Sequence, residues 1–223
     1  MKTFTSLFVL LLSFGAINAG VSFWGTKQSD APVSDWRQVL SHWYWVKSYD
    51  AWLEKDACRL VDEFRVATAL DPGNFEYWQL AANKIAYDFP VWEIDVLAIK
   101  EESMIASIRE RYGRDALAFF ETSRSYFIDD SGWYLAAGFL ADRACDDQNM
   151  ALTYFQEGVS LPGISYPLGV NYTRLLIETG RSAEALVFLK TWYPRILESR
   201  FSERKAEIGD WISRLEAKTS QPD

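Results

Sequence analysis

A short motif recurs three times in this chain at a period close to 34 residues. Asp115-Ala-Leu-Ala-Phe-Phe120, Met150-Ala-Leu-Thr-Tyr-Phe155 and Glu184-Ala-Leu-Val-Phe-Leu189 align so that Ala116, Ala151 and Ala185 stand 35 and 34 residues apart. Phe120, Phe155 and Leu189 keep the same spacing. In each copy a small residue precedes a large apolar one by four positions, which puts both on one face of a helix. The small side chain lets a second helix approach closely, and the large one fills the gap a turn later. A fixed period of this size marks stacked helical units, each too small to bury its own apolar face. The breaks between helices recur too, at Asp71-Pro72, Leu161-Pro162-Gly163 and Tyr193-Pro194.

The spacing of apolar residues outside the motif is also helical. Ser34 caps a first helix carrying Trp36, Val39, Leu40, Trp43 and Val46 at intervals of three and four. A second presents Leu60, Val61, Phe64, Ala67 and Leu70 and ends at Asp71-Pro-Gly-Asn74. A third begins at Phe75 and is expected to stop at Phe89-Pro90, because the residue before a proline avoids the helical region. Val91, Ile94, Leu97, Ile108 and Tyr112 mark a longer fourth helix, closed by Gly113. Further helical patterns cover 115–127, 131–144, 149–160, 167–179, 182–192 and 203–217. Little strand-like alternation survives, so the chain reads as all-α. With 49% apolar residues and only 12 Gly and 7 Pro among 223, disordered and collagen-like chains are excluded.

The stretch Phe64-x-x-Ala67-x-x-Leu70-Asp71-Pro72-x-Asn74-x-x-x-Trp78 resembles the tetratricopeptide repeat, with its second helix ending in this Asp-Pro-x-Asn turn and a Trp on the next first helix. Gly138 resembles the small contact residue of a later first helix. Gly180-Arg181 followed by Glu184-Ala185-Leu186 resembles the turn and second-helix start of a last copy. The likeness covers roughly 36 to 193. It is weaker at 36–60, where Ser48 and Leu60 replace small residues, and is broken at 88–112. Tyr77-Trp-Gln-Leu-Ala-Ala-Asn-Lys-Ile-Ala-Tyr87 and Gly113-Arg-Asp-Ala-Leu-Ala-Phe-Phe-Glu121 are similar to segments of bacterial exported or anchored proteins with degenerate repeats of this kind. The resemblance implies a helix-turn-helix repeat solenoid over 34–217. Its 203–217 helix, with Ile208, Trp211, Ile212 and Leu215 on one side, closes the array, and 218–223 is a tail.

The amino terminus carries an export or anchoring signal. Lys2 precedes the apolar run Leu7 to Phe14, and Ala19 stands where a cut before Gly20 would fall. No charge occurs from Thr3 to Thr26, a window that also has the length of a single membrane span. Cleavage of residues 1–19 and retention as an anchor both stay open, and either places the rest of the chain across the membrane, periplasmic or outward-facing. Residues 20–33 form a linker. Cys58 and Cys145 are read as two isolated, partly buried thiols rather than a disulfide.

Lys plus Arg total 23 against Asp plus Glu 31, and no basic block occurs, which argues against nucleic acid as a partner. His42 is the only histidine and Cys58 and Cys145 are 87 residues apart, so no four-ligand zinc spacing exists and histidine-based general acid–base pairs are removed. Asp129-Asp130 and Asp146-Asp147 sit just ahead of helices, where carboxylates favour the positive helix end. The chain therefore reads as a non-enzyme, with no catalytic, cofactor or metal site. By the resemblance, inward positions of the first helices hold a protein segment: Gln79, Asn83 and Tyr87, then Phe139 and Arg143, then Arg174 and Glu178. Trp43, Tyr44, Trp45, Tyr49 and Trp52 crowd one helix that can bury only part of its circumference, so Trp45 and Trp52 are added as partner contacts. The favoured reading is a scaffold or adaptor in the cell envelope. A subunit of a membrane complex, with single-span membrane association, is the alternative, and an envelope enzyme or ligand-binding domain on a helical scaffold is a third.

Overall fold

The structure, a computed structural model, describes residues 36–196 and 198–219. The expected cut after Ala19, the uncharged window Thr3 to Thr26, the linker 20–33 and the Ser34 cap lie outside the described residues. Among the described residues ten α-helices follow in order: α1 (Trp36–Leu53), α2 (Ala57–Leu70), α3 (Phe75–Asn83), α4 (Phe89–Leu97), α5 (Glu102–Glu121), α6 (Ser131–Phe139), α7 (Gln148–Val159), α8 (Tyr166–Glu178), α9 (Ser182–Trp192) and α10 (Glu198–Thr219). Among the described residues there is no strand. From Arg37 onward the chain is an all-α bundle of pairwise packed helices.

The local code sets the helix starts. Asp56 caps α2 by accepting from the Arg59 amide at 3.0 Å, Asp130 caps α6 through Gly132 N–H at 2.8 Å, and Asp147 caps α7 through Met150 N–H at 2.9 Å. The second Asp of each expected loop pair thus does what its position suggests. The Asp71-Pro-Gly-Asn74 turn is fastened by the Trp78 indole N–H, which donates to the Pro72 carbonyl at 3.0 Å. This gives the turn-to-Trp pattern a physical basis.

Helices adjacent in sequence pack against one another through α6, α7, α8, α9 and α10, and α2 packs on α3. Ala116, Ala151 and Ala185 are fully buried, and so are Phe120, Phe155 and Leu189. The periodic motif therefore faces the core in all three copies. The glycines extend the same logic. A methyl group on Gly138 would meet the Phe155 ring at 2.1 Å, one on Gly158 the Tyr134 Cβ at 2.6 Å, and one on Gly169 the Trp192 ring at 2.4 Å.

Two boundaries differ from the expectation. The third helix does not stop at Phe89-Pro90. It passes through a π-helical turn, Lys84–Asp88, directly into α4, with Pro90 in the first turn of the new segment. The wider turn lets Phe89 N–H reach Lys84 O, and Pro90 falls where a missing donor costs least. The break comes later, at Ala98, which takes a left-handed conformation (φ 50°) and splits the single helix expected over Val91 to Tyr112 into α4 and α5. Gly113 does not close a helix either and lies in the middle of α5. A Cβ there would stand 2.0 Å from the Ala144 carbonyl oxygen, so glycine is required by the approach of another backbone.

The expected single-span membrane association is corrected here. Among the described residues no helix is long and apolar enough to cross a membrane. The longer helices α5 and α10 are interrupted by charges such as Arg109, Glu110 and Arg111 in mid-helix.

Candidate functional site

Five of the residues expected to face a partner come from helices whose Asn74 and Asp130 caps lie 56 positions apart, and the structure gives those helices the same construction. Each has a nine-residue α segment, Phe75–Asn83 or Ser131–Phe139, followed by a five-residue π-helical turn, Lys84–Asp88 or Leu140–Ala144. The two π turns touch each other, and α5 packs across both. Such turns shift the side chains that follow them around the helix axis and are frequent at functional sites.

Gln79, Asn83 and Tyr87 from the first unit, and Phe139 and Arg143 from the second, line one cleft of about 510 Å³. Phe120, Ala136 and Leu140 complete its apolar lining. The side-chain amides of Gln79 and Asn83 make no hydrogen bond among the described residues and leave donors and acceptors open to the cleft. The Arg143 guanidinium lies over the Phe139 ring, 4.4 Å from its centroid, and has no carboxylate partner among the described residues. It is near enough to Tyr87 to oppose the upward push that burial gives that phenol. The arrangement offers polar groups of both senses, one forked cation and two rings, with no nucleophile–base pair.

Arg174 and Glu178 do not line this cleft. Arg174 Nη2 lies 3.4 Å from Asp142 Oδ2, and its Nε lies 3.8 Å from Glu178 Oε1. The pair ties α8 to the second π turn, so Arg174 is engaged within the protein. Trp45 and Trp52 are also engaged. Trp45 stacks on Phe64 (5.3 Å) and Tyr77 (4.6 Å). Trp52 donates its Nε1–H to Asp88 Oδ2 at 2.6 Å, under the Lys84 ammonium 4.3 Å from its ring centroid. The exposed rings of α1 are instead Trp36, Trp43 and Tyr49.

The remaining candidates take structural positions. His42 Nδ1 is 3.0 Å from the Tyr77 hydroxyl, and burial pulls its pKa below the ordinary value. Cys145 is buried, with its thiol pushed up to about 11 by burial, whereas Cys58 is exposed rather than partly buried; both are free. Among the described residues no group of three or more His, Cys, Asp or Glu is arranged to hold a metal.

The sequence reasoning missed a larger groove of about 1070 Å³ between α2 and α5, with Trp78, Ile85 and Phe89 lining it. Its walls depend on the course of α5, which is set by the Gly113–Ala144 contact. No periodicity encodes that contact, although a glycine inside a helical pattern was the available signal.

The fold and cleft define an all-helical protein of successive helix pairs with a small polar cleft between two like-built helices. No protein-family model matches the chain, and no curated protein matches it.

Proposed function

We propose that the chain is an exported, non-catalytic scaffold of tetratricopeptide-like repeats that holds an extended segment of a partner protein in the cleft between α3 and α6. The observation that carries this reading is the convergence of Gln79, Asn83, Tyr87, Phe139 and Arg143 on one cleft, from segments more than 50 residues apart. An extended peptide carries an N–H and a C=O per residue that need partners, and the free amides of Gln79 and Asn83 supply both kinds. Tyr87 and Phe139 supply apolar contact, and Arg143 offers its donors to a carbonyl or carboxylate. The solenoid organisation is supported by the buried Ala116, Ala151 and Ala185 and by α10, which lays the buried Ile208 and Leu215 against the preceding pair. Export rests on the amino-terminal pattern Lys2, Leu7 to Phe14 and Ala19.

The test is a random-peptide library displayed on phage and selected on the purified protein, followed by affinity measurements on the selected peptides. Truncating an aromatic anchor in such a cleft costs about 2 kcal/mol, roughly thirtyfold in affinity. Tyr87→Ala and Arg143→Ala are expected to weaken binding on that scale with helicity unchanged, while the exposed control Asp95→Ala leaves it alone. Selected peptides that bind both variants like the parent would remove the cleft from consideration.

A further inference from the structure

The outward side of α1 carries a second apolar seam that, among the described residues, no helix covers. Its inward side is filled by Ser41, Trp45, Ser48 and Trp52, which are buried or half-buried against α2, α3 and the first π turn. On the opposite side Val39, Trp43, Val46 and Leu53 are 60%, 51%, 40% and 59% exposed. With Asp50 they follow the alternating four–three spacing of a coiled-coil seam: Val39, Trp43, Val46, Asp50, Leu53. Leu40 and Tyr49 flank it and are exposed as well. A helix face with nothing stacked on it is ordinarily polar. Here it is built like an interface.

We propose that this face joins two copies of the chain, with α1 packed antiparallel against α1 of the second copy. Three features of the seam select that occupant. First, its centre is self-complementary when reversed: Trp43 falls opposite Val46 of the other copy and Val39 opposite Asp50, so each of these layers sets one seam position against the other kind. Second, each copy pairs its large ring with the partner's smaller aliphatic, which fills volume without a clash between rings. Third, the exposed side chains amount to on the order of 600 Å² per copy, at the top of the range a typical monomer leaves open, so a symmetric pair buries roughly 1,200 Å², the lower edge of specific interfaces. A single charged residue in the seam weakens pairing but restricts register, as lone polar seam residues do in coiled coils. Asp50 lies near one end of the seam, where its carboxylate can turn to water. This surface is separate from the cleft and does not rest on the peptide-binding reading.

The experiment is sedimentation equilibrium of the protein as cells make it, at micromolar concentration, against the chain mass from mass spectrometry. The expected result is twice the chain mass, falling by half in Val46→Lys with unchanged circular dichroism; Val46 is a surface position, so the helices are retained. Cross-linking then fixes the direction. In a Cys58→Ser background, Val39→Cys and Asp50→Cys chains are expected to link when co-expressed and refractory when each is alone. A monomeric parent overturns the proposal and is the result expected if residues 1–35 or a different protein cover the face. A dimer that survives Val46→Lys, or linkage within either single variant, overturns it too.

Discussion

At the scale of single residues, small side chains set the distances between helices. Gly113 is the sharpest case, because what occupies the space of its missing Cβ is the Ala144 carbonyl, 2.0 Å away, rather than a side chain able to turn aside. In an open helix Gly→Ala stabilises by roughly 0.5–1 kcal/mol through backbone entropy and propensity. At position 113 the methyl group must push α5 away from the second π turn, an overpacking strain of about 1–3 kcal/mol that more than offsets the gain. Gly113→Ala is therefore expected to lower the urea midpoint, and a raised midpoint would show that the close approach does not exist. The same displacement would loosen the cleft, since Phe139 and Arg143 stand at the start of and within the segment that leads to Ala144.

At the scale of elements, α1 shows how a helix rich in rings divides its work. Ser41 allows close approach and donates to the Ala67 carbonyl at 2.7 Å, while Trp45 fills the space beside it between Phe64 and Tyr77. Offset-stacked rings contribute about 0.5–1.5 kcal/mol beyond the area they bury. Trp45→Ala removes two such stacks and leaves a void against Tyr77, so a stability loss of about 3 kcal/mol is expected in denaturant unfolding. Trp43→Ala, on the outward seam, is expected to leave the stability of the isolated chain nearly unchanged. If both substitutions were equally mild, the inward and outward assignments of α1 would be wrong. The π turns belong to this scale as well. They let α3 and α6 run on past the point where an ordinary helix would have turned Tyr87 and Arg143 to other faces.

At the scale of the whole molecule, buried acids make stability depend on alkaline pH. Burial raises the Cys145 thiol to about 11 and, with the nearby charge of Asp71, the Tyr77 phenol to about 12. Both groups are protonated in the folded chain at pH values where the unfolded chain has already released its protons. Their contribution is complete below the unfolded values near 9 and 10 and is lost as pH rises through 11 and 12. A pair of shifts of this size is worth on the order of a few kcal/mol. Unfolding free energy is expected to hold steady from pH 7 to 8 and to fall by pH 11, with Cys145→Ala showing a smaller drop. A flat profile across that range would mean that the two groups are open to water in the folded chain.

Much of this architecture was legible in the chain. Ala116, Ala151 and Ala185, their large partners four positions on, the Asp130 and Asp147 caps and the Asp71-to-Trp78 turn are local or periodic features. Each acts through contacts within a turn or through a helix face that must be buried somewhere, so sequence spacing alone determines it. The gathering of Gln79, Asn83, Tyr87, Phe139 and Arg143 was also foreseeable, because equivalent positions of like-built helices come side by side once the helices stack. What only the tertiary structure decided were features in which two distant backbones or rings compete for one space. Gly113 read as a helix end because glycine ends helices more often than it admits a neighbour. Pro90 read as a stop because a proline does not reveal the π turn that accommodates it. Trp45 and Trp43, two positions apart on one helix, had the same composition signal, and only the placement of Phe64 and Tyr77 turned one into core and left the other facing outward.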